Sequence, residues 1–271
     1  MFERNGNFKL PDVQRKQIDA EANDFAREVR KKLGVNLTDP VDMIPLLEEQ
    51  GILVIQAVRL GPSGFVRVLG EYQAIFLNAS EPLGRQYYTA AHEYGHILRH
   101  LPCIVELEEL SEDERQLELS KMECFSYSFA DHFLITPEAV EFYLTKYDLG
   151  SGSDFSISDI IRIQHHFKVS YRQMTRMLRK IGIISEEQQE QLNKVSSKEE
   201  PDRLVRETEQ AGYSTDLVSP LQQGRVPERF LHALITNIRN GRLTERKVRH
   251  LQEILGFSDL LQHIGEVGHE E

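Results

Sequence analysis

Cysteine is scarce in this chain of 271 residues, which has only Cys103 and Cys124. Two cysteines make no disulfide framework, so a reducing compartment, the cytoplasm, is expected. A long apolar run is also missing. The most apolar stretch, GILVIQAVRL at 51–60, falls far short of the ~20 residues a spanning helix needs. The opening residues, MFERNGNFKLPDVQRKQ, hold no apolar signal core. Positive charge is in deficit: 32 Lys and Arg face 43 Asp and Glu, a net charge of −11. That balance argues against broad affinity for phosphate backbones, though a local basic patch could survive it. No internal repeat is visible. What is present is ordinary for a globular protein, 40% hydrophobic and 28% charged residues in a chain long enough for a sizeable core.

Ile18, Ala22, Phe25, Ala26, Val29 and Leu33 recur at helical spacing and stop at Gly34, predicting a helix over 11–33. A short helix follows in DPVDMIPLLEEQG, with Asp39 as candidate N-cap and Gly51 as its stop. ILVIQAVRL, SGFVRVLG and YQAIFLNAS are β-rich runs parted by Gly61-Pro62 and Gly70, and they predict a small antiparallel sheet. Helix dominates from there, roughly 84–100, 113–135, 137–147, 157–165, 170–180 and 185–195. The expected class is α+β and mostly helical. The expected organisation is a catalytic domain over 1–150, a helical subdomain over 151–195, a polar linker over 196–226 and a helical hairpin over 227–271. Phe230, Leu234 and Ile238 line one helix of that hairpin, and Val248, Leu251 and Leu255 the other. Such a pair could pack on the catalytic domain, dimerise or hold a partner.

The chemistry concentrates in AAHEYGHILRH at 90–100. His92 and His96 lie one helical turn apart, so both imidazoles can reach one ion. Zinc suits nitrogen and oxygen donors in a tetrahedral shell, and a catalytic site leaves one position to water. Glu93, beside the first histidine, is placed to accept a proton from activated water without binding the metal. No further histidine follows at the spacing of the elongated zinc motif, so the third ligand is expected to be a carboxylate from a later helix. KMECFSYSFADHFLITP offers Glu123, and on spacing alone Glu118, Glu114 and Glu112 are rivals. Small residues at Ser126 and Ala130 would let that helix approach the histidine helix closely. Ser126 or Tyr127 is a candidate partner behind a ligating imidazole. Tyr94, Tyr127 and His132 are candidate donors to a developing oxyanion.

The run GFVRVLGEYQAIFLNASEPLGRQYYTAAHEYGHILRH, followed by ECFSYSFADHFLIT, resembles the ImmA/IrrE family of zinc metallopeptidases, across roughly residues 12–185. In that family a helix of the type E-x-E-A-N-x-F-A-A-x-L-L-M-P supplies the third ligand, and Glu123 falls on its first glutamate. The chain departs from the pattern at Phe125, Ser126, Tyr127 and Thr136. EANDFA at 21–26 matches it more literally, but upstream of the histidine helix, where the family has an ordinary amphipathic helix; Glu21 is therefore expected at the surface. The resemblance implies zinc, with manganese or iron as alternatives in the cell. It also implies cleavage of a helix-turn-helix repressor of the Xre type, releasing stress-response or mobile-element genes.

Two other readings compete. HHFKVSYRQMTRMLRK has a helix-turn-helix cadence with Arg172, Arg176, Arg179 and Lys180 on its second helix, as in a DNA-binding regulator without catalysis. A packed helical hairpin explains the same segment, and with this net charge direct DNA binding is not expected. The third reading keeps the zinc site but makes the protein an anti-repressor or toxin that acts by binding. His165 and His166, being adjacent, point to different helix faces and read as packing or surface residues. Cys124 reads as a buried hydrophobe. His100 either lines the cleft or ends its helix at the negative dipole end.

Overall fold

The computed structural model describes residues 10–101, 110–150, 154–197, 200, 202–221 and 223–256. Cys103, the start of the acidic stretch at 106–118 and the end of the expected C-terminal hairpin lie outside them. The fold is mostly helical with one small sheet, the α+β class expected. Helix α1 (Asp12–Lys32) buries Ala22, Ala26 and Val29, the stripe its spacing marked out. Helix α2 (Met43–Glu49) starts later than its sequence suggested. Asp42 is its N-cap residue, while the Asp39 carboxylate accepts the Asn36 side-chain amide at 2.8 Å.

The sheet departs from expectation. Strands β1 (Leu53–Ala57), β2 (Gly64–Leu69) and β3 (Tyr72–Asn78) lie in the order β1-β3-β2. β2 and β3 form the expected antiparallel hairpin, but β1 pairs with β3 in parallel, Val54 opposite Ile75. The sheet is therefore mixed, not antiparallel. The loop through Gly61 and Pro62 carries the chain across to the far side of β3 instead of turning it back beside β1. All five β1 residues are buried, as a strand covered on both faces requires.

Helix α3 (Leu83–Arg99) packs across the sheet, and α4 (Glu112–Leu134) is sandwiched between α1 and α3. Ser111 and Glu114 form a capping box at the start of α4. Thr136, standing where the resembled family has proline, N-caps α5 (Pro137–Tyr147) by accepting the Ala139 amide at 3.1 Å. Helices α6 (Ile157–Phe167), α7 (Tyr171–Lys180) and α8 (Glu186–Asn193) follow, and Ile160, Ile161, Phe167, Met174, Met177 and Leu178 join the same core as α1–α4. No helix among the described residues is long and apolar enough to cross a membrane.

The segment read as a linker carries helix α9 (Arg203–Gln210), and its Leu217 is buried in the main core. Further on it closes the free edge of β1. Gln56 and Arg225 exchange backbone hydrogen bonds of 2.8 and 3.0 Å, and the Val58 amide donates to the Ile254 carbonyl at 2.9 Å. Helices α10 (Glu228–Arg239) and α11 (Glu245–Leu255) pack as a hairpin, with Leu234 and Val248 at its centre. Leu255 packs on Ile55 and Ala57, so the hairpin docks against β1. Polar composition concealed this docking, because its bonds are made by backbone that any sequence supplies.

Two positions show how the assembly is held. Arg30 is fully buried, and its guanidinium donates to the carbonyls of Phe133, Asn36 and Asp39, each at 2.5 Å. It ties α1 to the end of α4 and to the loop before α2. Arg30→Met strands three carbonyls and is expected to cost about 3 kcal/mol or more, read as a lower urea midpoint. A loss under about 1 kcal/mol would mean that the carbonyls find other donors. At Gly224 a Cβ would lie 2.3 Å from the Gln56 oxygen and 2.4 Å from the Leu255 oxygen, both backbone atoms that cannot rotate away. Gly224→Ala should speed amide exchange at Gln56 and Val58 and leave α3 and α4 protected; unchanged exchange at both amides would contradict the docking described.

Candidate metal centre

Helix α3 brings its chemistry to one face. His92, His96 and His100 recur every four residues, with Glu93 half-buried beside them. The flank beside that face is built for close packing. A Cβ at Gly95 would meet Phe129 Cδ1 at 3.0 Å and Ser126 Oγ at 3.4 Å, so α4 lies almost against the α3 backbone. Ser126 and Ala130 are fully buried there, in keeping with the small residues expected at those positions. α4 thereby delivers Glu123 to the two histidines.

Three donor atoms converge. His92 Nε2 lies 3.4 Å from Glu123 Oε2, His96 Nε2 lies 3.1 Å from Glu123 Oε1, and the two Nε2 atoms are 3.2 Å apart. Among the described residues this is the one group of three or more His, Cys, Asp or Glu side chains able to hold a metal ion. The spacing fits a small cation: donors about 2.0–2.1 Å from a tetrahedral centre stand roughly 3.3 Å from one another. Protons satisfy the cluster less well, because each neutral imidazole can offer one N–H and the two Nε2 atoms face each other.

The electrostatics agree with a site built to hold positive charge. Burial raises the Glu123 carboxyl, but hydrogen bonds and charge from His92 and His96 outweigh it and bring the group down to about 2. His100 is pushed down to about 3, first by burial and then by the neighbouring His96 and Arg99 charges, so it is neutral at pH 7. Its Nδ1 lies 3.0 Å from His96 Nδ1 and 3.5 Å from Ser126 Oγ, which makes it a partner behind one candidate ligand. His92 Nδ1 is buried with no hydrogen-bond partner among the described residues, so whatever faces Nε2 decides which nitrogen carries the proton.

The remaining candidates divide. The Tyr127 ring lies 4.3 Å from the His92 ring, centre to centre, at the edge of the cluster. Tyr94 is not there: one residue from Glu93 but about 200° around α3 from His92, it is buried against Phe129 and Phe133. His132 is also elsewhere. Nine residues beyond Glu123 it emerges about 180° around α4, where Nε2 meets Asp19 at 3.1 Å and Lys180 at 3.3 Å. Of the rival carboxylates, Glu118 pairs with Lys121, Glu112 with Arg115, and Glu114 caps its own helix. Glu21 is at the surface, bound to Arg99 at 2.6 Å. Sequence reading overlooked Tyr88, which stacks on Tyr127 and donates to its carbonyl at 3.3 Å; its place one turn before His92 was the available signal.

The basic residues of α7 are engaged within the fold. Arg172 bonds Ser196 at 2.9 Å, Arg176 bonds the buried Asp131 at 2.9 Å, Arg179 meets Glu186 at 3.2 Å and Lys180 meets Asp19 at 2.7 Å. Each of the four cations proposed for a recognition helix thus has a partner in the chain itself.

Comparison with known proteins adds a family. No curated protein matches the chain in sequence at a significant level. Among solved structures, a Mycobacterium tuberculosis transcriptional regulator is similar over 58% of this chain and 46% of its own, at 15% identity and a TM-score of 0.38. The match thus spans less than half of that protein's length. The profile of the peptidase M78 family, described as the IrrE N-terminal-like domain, matches residues 47–179, from the end of α2 to the end of α7 and across the whole His92–His96–Glu123 cluster. That span thus carries a match to the IrrE N-terminal-like domain of the peptidase M78 family, in agreement with the resemblance of its motifs.

Proposed function

We propose that the protein is a zinc-dependent endopeptidase of the cytoplasm, that His92, His96 and Glu123 hold the ion, and that a helix-turn-helix repressor of the Xre type is its substrate. The observation carrying this reading is the convergence of two imidazole nitrogens, 3.2 Å apart, on the Glu123 carboxylate, each within 3.4 Å of one of its oxygens. When bound, a divalent ion supplies Lewis acidity toward water and the scissile carbonyl. The remaining work falls to side chains. Glu93 adjoins both histidines on α3, accepts a proton from the attacking water and passes it to the departing amine. Tyr127, against the His92 ring, is the remaining candidate to donate to the oxyanion, because Tyr94 and His132 point elsewhere. His100, neutral and in contact with His96, orients that imidazole.

The ligand assignment and the catalytic assignment separate experimentally. Glu123→Ala and His92→Ala should weaken zinc binding by more than the ~10–100-fold typical of losing an outer partner. Zinc content after dialysis, read by mass spectrometry, checks this; full occupancy in either variant would remove that residue from the ligand set. Glu93→Gln should keep its zinc while peptide hydrolysis falls by roughly 100- to 10,000-fold. Mass spectrometry of helix-turn-helix repressors encoded beside the gene, incubated with wild type and with Glu93→Gln, tests the substrate. Fragments formed only by wild type are expected. Binding without cleavage would make the protein an anti-repressor instead.

A further inference from the structure

The metal cluster does not end at Tyr127. On its far side the structure has a cleft of about 740 Å³ between α1, α4 and α7, walled toward the metal centre by Tyr127 and Tyr88. Four cationic side chains line it, Arg15, Lys16, Arg176 and Lys180, against two carboxylates, Asp19 and Asp131. This positive surplus stands out in a chain of net charge −11. Both carboxylates are already engaged. Asp131 is buried and takes hydrogen bonds from Arg176 and from Gln173, the latter at 2.7 Å. Asp19 is bonded to Lys180 at 2.7 Å and to His132 at 3.1 Å. What remains uncompensated among the described residues lies on the α1 rim. Lys16 is exposed there, and among those residues Arg15 is paired with Asp12, an acid whose side chain is 79% exposed and so holds it weakly.

We propose that this cleft is a substrate subsite that selects an acidic side chain, with Lys16 and Arg15 receiving the carboxylate and the two tyrosines flanking its stem. The inference rests on the peptidase reading above. Tyr127 both touches His92 and lines the cleft, so the two sites are about one ring's width apart. An extended peptide advances ~3.3 Å per residue, so the acidic residue stands within a few positions of the scissile bond. The substrate expected is therefore a peptide segment carrying Asp or Glu at that distance from the cut.

Digestion of a proteome-derived peptide library by the zinc-loaded wild-type protein tests this, followed by kcat/KM for matched peptides with Glu or Gln at the selected position. Asp and Glu should be enriched at one fixed position near the cut. In the variant carrying both Arg15→Glu and Lys16→Glu, the Glu-over-Gln ratio should fall by roughly fivefold, the scale of partly exposed charge pairs. Lys16→Arg should retain the ratio, and added salt should shrink it in wild type. Both replaced residues are exposed and lie in the first turns of α1, before its buried Ala22, Ala26 and Val29 begin, and circular dichroism verifies that the variants are folded. Cleavage without an acidic preference, or a preference that survives charge reversal, overturns the subsite and leaves the peptidase reading standing. Absence of any cleavage by wild type overturns both.

Discussion

The close approach of α3 and α4 at Gly95 is the constraint from which the site follows. Two candidate ligands come from one helix and the third from its neighbour, so the separation of the helices decides whether three donor atoms can meet at one point. Functional constellations tolerate errors of about 0.5 Å. Here the α3 backbone comes near enough to Phe129 and Ser126 that a single added carbon would be in tight contact. The packing that sets this distance is remote from the chemistry. Phe25 of α1 packs against Phe125 and Phe129, and Arg30 clasps the end of α4. The position of Glu123 is thus a property of the core.

A buried carboxylate beside two imidazoles carries opposing energies. Desolvation disfavours its charge, and the histidines more than offset that penalty. Neutral His100 adds a polar contact behind His96 without adding positive charge at pH 7. Such a cluster has its charge arranged in advance for a cation, and binding of an ion that finds no such site in the unfolded chain stabilises the fold by the same free energy. Close packing and charge therefore act on the same few residues.

The outlying elements show how the fold absorbs features that resemble other functions. The α6–α7 pair has the cadence of a DNA-reading motif, yet Arg176 is drawn in to the buried Asp131, and Lys180, Arg179 and Arg172 pair with Asp19, Glu186 and Ser196. Arg176 and Lys180 in particular tie α7 to α4 and α1, on the same stripe of α4 that carries Tyr127 and Glu123. The polar segment after α8 closes a sheet edge with backbone hydrogen bonds, which shields β1 from pairing with other chains.

Helical periodicity located α1, α3, α4 and the helices after them except α9, because burial of one face leaves a repeating apolar pattern in a sequence. The His-Glu-x-x-His spacing likewise placed two imidazoles on one face, a consequence of helical geometry alone. Glu123 could be ranked against Glu118, Glu114 and Glu112 by resemblance, but spacing within one helix does not state how far another helix stands from it. Partner choice was equally hidden: β1 runs parallel to β3 because of a loop that crosses the sheet, and alternation of side chains carries no record of which strand lies alongside. The separation of Tyr94 and His132 from Tyr127 was in principle legible from their angular positions, but only the packed helices showed which direction faced the cluster. By itself the sequence determined the elements and the chemical types of the site, since both depend on local geometry. Tertiary structure alone decided their convergence, because distances between elements arise from the packing of residues far apart in the chain.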